Sequence, residues 1–350
     1  MKYNLTSLTK RLSHIIGLAR LPILVLGLWL PHGLSAQTNN QDEASESTVQ
    51  TSYPSDTAEA WLVKMASAVK TLNFNISFIV LKPGVDSQPY LWRHAVNEDG
   101  IEMEQLNLLN GPGREMVRIG DKVSYFEPNV PPYTLQSTTI NGPFPSELFY
   151  HPDKLQEGYE FVLVGRSRVS GRAAQQIRVI SKDQTRFGFN LWLDQESGLL
   201  LKMNMINLEG QLLEQIQVTG LEVNQQPDPF FSRIALPMLP DVLVMQSTPE
   251  MAPRWQINYL PIGMYVAKQD THRLPLTSEL VDYLLVSDGL VDVSIYLQPQ
   301  NNGKANQDLL GRHESNTILT RQLGDFSATV VGKVPPATAD AIVKSIQFIQ

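Results

Sequence analysis

Few residues in this chain could do covalent or acid/base chemistry. It contains no cysteine, which removes disulfides, thiolate nucleophiles, thiolate zinc sites and a lipid-bearing N-terminal cysteine together. Beyond residue 36 the histidines are His94, His151, His272 and His313, widely scattered and without the His-Glu-x-x-His spacing of a helical zinc site. Each reads first as a surface or hydrogen-bonded core histidine. Gly111-Pro112-Gly113 begins a Gly-x-Gly pattern, but Met116 stands where a dinucleotide loop needs glycine, and the stretch lies in a hairpin. A Walker loop and a Gly-x-Ser-x-Gly elbow are both missing from the sequence. Glu102 and Glu104 share a strand face, with nothing to mark them as an acid/base pair rather than a solvated edge. We therefore expect no catalytic residue, no metal, no cofactor and no enzyme.

Two residue sets suit binding instead. Trp92, Met116, Tyr125, Phe126, Trp192 and Met203 are large apolar residues on strand-like runs. They line a groove for a lipid chain or peptide, or else they are ordinary core positions. Arg166, Arg168, Arg172 and Arg178 form a local basic concentration. Arg166 and Arg168 share a face and suit an acidic peptide or a lipid phosphate; the plainer reading is a solvated strand face near Glu157, Glu160 and Asp183.

The elements that must position these residues follow from periodicity. Residues 1–36 give a basic start, an apolar run Leu21 to Leu30, Pro31 and small residues before Gln37. That is a secretory signal peptide, since the apolar run is far short of the roughly 20 residues that span a bilayer. Residues 37–55 form a polar, disordered lead-in. The four basic residues of the leader carry no compensating acid, so its removal takes the formal charge from −7 to −11. Such a balance disfavours charge-driven binding to nucleic acid or an anionic membrane.

Asp56 and Glu59 approximate a capping box ahead of Trp61, Met65, Ala68, Val69 and Leu72 at helical spacing. The period then changes to two. Ten or eleven strand-like runs follow to Val223, among them Tyr133 to Ile140, with a proline-rich, partly helical connection from Pro143 to Leu155. One helix on so many antiparallel strands predicts a strongly curved sheet or half-barrel over residues 56–224. Its central hairpin, Gly111 to Pro128, turns at Gly120-Asp121 and ends Tyr125-Phe126-Glu127-Pro128, with one ring on each face.

Residues 225–240 carry four prolines and break both periods, so a linker is expected there, with Phe230, Phe231 and Ile234 packed rather than free. Residues 241–350 read as a smaller α+β domain. Trp255, Ile257 and Tyr259 alternate, two strands flank Ser287-Asp288-Gly289, two more lie at Thr317 to Gln322 and Ser327 to Gly332, and Gln298 to Gln307 is a polar loop. Pro335-Pro336 starts a last helix with Ile342, Val343 and Ile346 on one side. The fold class is α+β, mainly antiparallel β, in two domains.

The hairpin GPGREMVRIGDKVSYFEP resembles the central hairpin of the RseB/MucB family, periplasmic regulators of the sigma-E envelope-stress response. Tyr159 to Arg168 (YEFVLVGRSR), Leu284 to Tyr296 (LLVSDGLVDVSIY) and Val331 to Ile346 (VGKVPPATADAIVKSI) fit the same family, and the likeness runs from about Ala58 to the C-terminus. The resemblance implies a first domain similar to the lipoprotein carriers of the Lol system. It also implies a periplasmic protein that binds the periplasmic domain of a membrane anti-sigma factor of the RseA/MucA type. Binding would shield that factor from its site-1 protease and repress sigma-E, with lipopolysaccharide or lipid A as releasing ligand. A periplasmic lipid or lipoprotein carrier is the alternative, and a homo-oligomer stays open.

Overall fold

The computed structural model describes residue 54 and residues 56–243, 254–273, 280–299 and 308–349. The leader, the lead-in to residue 53 and residues 300–307 of the polar loop lie outside these. Helix α1 (Ala58–Thr71) begins where the Ala60 amide donates to the Thr57 hydroxyl at 3.2 Å. The cap is Thr57 rather than the expected Asp56, because Thr57 holds the extended conformation that aims its oxygen back at the first turn. Leu62, Met65 and Val69 face inward.

Strand β1 (Asn73–Leu81) buries Phe74, Ile76, Phe78 and Val80 and leaves the alternate residues half-buried. It is the centre of one eleven-stranded antiparallel sheet. On one side the chain meanders outward through β2 (Gln88–Val96), β3 (Glu102–Leu108), β4 (Arg114–Ile119), β5 (Lys122–Phe126) and β6 (Tyr133–Gln136). It crosses to the far edge through the short helix α2 (Ser146–Tyr150) and a 3-10 turn at Pro152–Gln156. From there β7 (Tyr159–Val169), β8 (Arg172–Ser181), β9 (Gly188–Asp194), β10 (Leu200–Ile206) and β11 (Leu212–Asn224) lead back to pair with β1. Register shifts in β1, β7 and β10 add bend and twist. The two ends, β6 and β7, stay unpaired with each other, so the sheet curves without closing. Strand β6 stops at Gln136, short of the expected Ile140, because residues 137–145 leave the sheet and turn over its concave face.

Residues 225–243 form a strap across the convex face. Asp228 caps the single turn α3 (Pro229–Ser232) and takes hydrogen bonds from Asn75 and Arg93 at 2.8 and 3.3 Å. Phe230 lies 5.2 Å beneath the Arg93 guanidinium and Phe231 is buried. Farther along, the Thr134 hydroxyl donates to Pro240 at 2.7 Å, and Leu243 donates to the Thr134 carbonyl. The expected apolar linker residues thus pack onto the back of the first sheet.

The second sheet has six antiparallel strands in the order β13-β14-β15-β18-β17-β16. They are β13 (Tyr265–Arg273), β14 (Leu280–Ser287), β15 (Asp292–Pro299), β16 (Leu309–His313), β17 (Asn316–Leu323) and β18 (Phe326–Gly332). Helix α4 (Pro336–Lys344) packs on β17 and β18 and buries Ala339, Ile342 and Val343. Ile346, expected on that helix, instead opens β19 (Ile346–Phe348), which pairs with β12 (Trp255–Ile257). The buried apolar residues of both sheets belong to one continuous core, from Phe74 and Trp92 through Met205 to Val293 and Val330.

Candidate functional site

Cross-strand register decides which residues of the first sheet meet. On its concave face one row runs Phe74, His94, Glu104, Arg118, Val123, Leu135, and the next runs Ile76, Trp92, Leu106, Met116, Tyr125, Tyr133. Trp92, Met116 and Tyr125 therefore share one apolar row. Met203 lies on the same face in the other half of the sheet, beside Leu191 and Ile216. Phe126 and Trp192 project from the convex face, Trp192 under Lys202 with the ammonium 5.1 Å from its ring. The six apolar candidates divide four to two between the faces.

The concave face is filled. Phe144 tilts against Phe78 and Trp92, Phe149 stands edge-on to Trp92, and Ile140 and Tyr150 close the side. Among these side chains lies a cavity of about 30 Å³ lined by Trp92, Glu104, Leu106, Phe144, Phe149 and Tyr150. That holds a water or two, since each needs on the order of 10 to 15 Å³, whereas ligand pockets run from about 300 Å³ upward.

Its floor is a polar cluster that sequence reasoning missed. Arg118, 3% exposed at its side chain, donates from one nitrogen to Glu102 at 2.6 Å and Glu104 at 3.1 Å. Tyr150 donates to Glu104 at 2.5 Å, and His94 Nδ1 donates to the Leu72 carbonyl at 2.7 Å. His94 Nε2 is buried without a hydrogen-bond partner and lies 3.9 Å from Glu102. The carboxyl of Glu102 is held down to about 2 by the His94 imidazole and by Arg118, against the opposing effect of burial. At 3.9 Å the imidazole is beyond hydrogen-bond reach, and the 2.6 Å guanidinium contact is the stronger of the two. Burial works against the Arg118 charge, but Glu104, Tyr150 and Glu102 outweigh it and raise its pKa. Burial, then Glu104, pushes the Tyr150 phenol well above its usual range, which keeps it a donor. His94, Glu102 and Glu104 place one ligand atom each within 4.8 Å, the spacing of a metal site, but both carboxylates already share the Arg118 guanidinium. The cluster is a buried ion-pair network that ties strands β2, β3 and β4 to α2 and to the end of α1.

The four arginines do not converge. Arg166 and Arg168 pair in register with Gln175 and Ala173 and share the face of the buried Ile177. Arg178 is on the opposite face opposite Val162. Arg172 is committed to Asp194, at 2.9 and 3.0 Å, and to Glu196. Among the described residues no carboxylate forms an ion pair with Arg166, Arg168 or Arg178.

A second polar cluster joins the two sheets. Arg186, fully buried, donates to Asp288 at 2.7 Å and to Asp183 and the Gly158 carbonyl at 3.3 Å. Its guanidinium lies 4.7 Å over the Tyr159 ring, and the Tyr159 hydroxyl donates to the same Asp288 oxygen at 2.9 Å. The other Asp288 oxygen accepts from Leu290 and Val291, which fixes the β14–β15 turn. Burial, then Asp288, pushes Tyr159 well above its usual range. Around this centre Ile262 donates to Asp183 at 2.9 Å and Thr338 to the Thr185 carbonyl at 2.7 Å. Ser315 and Lys333 donate to the buried Glu214 at 2.9 and 3.0 Å, and Lys82 meets Glu314 at 2.6 Å near the surface. Gly289 has φ 83°, and a Cβ there would sit 2.3 Å from Glu147 Cγ, so only glycine permits this approach.

A large curved sheet and a smaller one, locked along a buried polar seam, define a two-domain β-rich protein. The chain belongs to the MucB/RseB family. Residues 57–242 match the MucB/RseB N-terminal domain and residues 249–347 the MucB/RseB C-terminal domain. The sigma-E factor regulatory protein RseB of Escherichia coli is 33% identical over 291 residues, 83% of this chain and 90% of that protein. A structure of the Pseudomonas aeruginosa MucA/MucB complex matches with TM-score 0.68 at 28% identity, covering 84% of this chain and 99% of that one; a second structure of MucB with MucA gives 0.66. MucB alone matches with TM-score 0.52 at the same identity, covering 83% and 98%.

Proposed function

We infer that this protein is a periplasmic negative regulator of a sigma-E type envelope-stress response. It binds the periplasmic domain of a membrane-anchored anti-sigma factor and keeps that domain away from its site-1 protease. The observation that carries this reading is the likeness of both sheets together, over 84% of the chain, to MucB held in complex with MucA. The mechanism is linkage: a bound segment is unavailable to the protease, and a ligand that favours the released state lowers the protection.

In this reading lipopolysaccharide or its lipid A part is the releasing ligand. The concave face is its entry point, and the filling of that face by Ile140, Phe144 and Phe149 means that an acyl chain enters only if residues 137–150 move out. The cavity on that face, about 30 Å³, is too small for an acyl chain as it stands. No helix among the described residues is long and apolar enough to cross a membrane.

The test is a reconstituted cleavage assay with the anti-sigma factor's periplasmic domain and its protease. Stoichiometric addition of the mature protein slows cleavage at least tenfold, and lipopolysaccharide restores it. Unchanged cleavage in the presence of excess protein would refute the reading.

A further inference from the structure

The polar seam between the sheets contains more buried charge than a simple packing surface requires. Arg186 and Glu214 are buried on the first sheet's side and reach across to the second: Arg186, which also holds Asp183 on its own side at 3.3 Å, meets Asp288 at 2.7 Å, and Glu214 meets Ser315 and Lys333. A buried charge stripped of its partner is costly, so sliding one sheet against the other is opposed at two separate points. A seam of this kind has one well-satisfied register, in contrast to an apolar contact that tolerates drift. A second observation bears on the arrangement it holds. At equal identity and nearly equal coverage, the chain superposes better on partner-bound MucB, with TM-scores of 0.68 and 0.66, than on MucB alone, with 0.52.

The geometry points to Arg186 and Asp288 as positioning residues for partner recognition: their ion pair, with Lys82–Glu314 at the rim, holds the two domains in the arrangement that binds the anti-sigma factor. The partner surface is then composite. Neither domain alone presents it, and the seam sets affinity without touching the partner. This rests on the partner proposed above.

The rim pair allows a test that spares the core, because Lys82 and Glu314 are part-exposed. In the full mature chain, Glu314→Lys faces Lys82 with a like charge and lowers affinity for the anti-sigma periplasmic domain at least fivefold by calorimetry. The swapped pair Lys82→Glu/Glu314→Lys returns it to within twofold of wild type. At the centre, Asp288→Asn lowers affinity at least tenfold. Linking the two sites in that variant as Lys82→Cys/Glu314→Cys with a short bis-maleimide, selective because the chain has no cysteine of its own, restores it, which neither a lost direct contact nor an unfolded domain would allow. Wild-type affinity in both Glu314→Lys and Asp288→Asn, or an Asp288→Asn variant that stays weak after coupling, would overturn the inference. If wild type itself does not bind the domain, the functional reading fails and not the seam alone.

Discussion

At the scale of single residues, the concave cluster shows how register creates a site. Glu102 has an ordinary carboxyl value of 4.5 and is held at about 2 in the folded chain. As pH falls, the unfolded chain takes up this proton first. The Glu102 contribution to stability is therefore complete above about pH 4.5 and is lost as pH falls toward 2. Urea titrations over that range are expected to show stability declining, and Glu102→Gln is expected to flatten part of the decline. Arg118→Met leaves Glu104, 2% exposed, as a buried charge with only Tyr150 to answer it, a loss of about 3 to 5 kcal/mol. The double variant Arg118→Met/Glu104→Gln is expected to recover most of that, and chemical denaturation of the set measures the coupling. None of this was legible in the sequence. Glu102 and Glu104 could be placed on one face, but His94 and Arg118 reach them only because β2, β3 and β4 pair in one particular register.

At the scale of elements, strands with a clean alternation were readable and those without one were not. Phe74, Ile76, Phe78 and Val80 announce β1, and the first sheet has eleven strands where ten or eleven runs were expected. Strands β13 (YVAKQDTHR) and β16 (LLGRH) carry little apolar alternation and lie at the edges of their sheet, where pairing on one side suffices. The strap was legible as a linker with buried rings, but its course over Asn75 and Arg93 was not, because that contact joins residues about 150 positions apart. Phe231→Ala is expected to cost about 3 to 5 kcal/mol, the usual range for emptying a buried aromatic site, and to free the strap to proteolysis. Urea denaturation and limited trypsin digestion check both parts. The binding residues fare differently. Trp92, Met116 and Tyr125 share one concave row, while Phe126, Trp192 and Arg178 fall on the opposite face, since a one-residue step along a strand reverses the direction of a side chain.

At the scale of the whole molecule, the two sheets share one core and a seam of buried ion pairs. Calorimetric unfolding is accordingly expected to give one cooperative transition for the intact chain. Two resolved transitions would mean that the seam contributes little. The central claim, that this arrangement exists to hold an anti-sigma factor, is tested most directly by titrating the protein, as residues 37–350, with the periplasmic domain of the host's membrane anti-sigma factor in a calorimeter. The account predicts a saturable complex with micromolar or tighter affinity, about −8 kcal/mol or better. No heat, together with no co-elution on gel filtration, would contradict it.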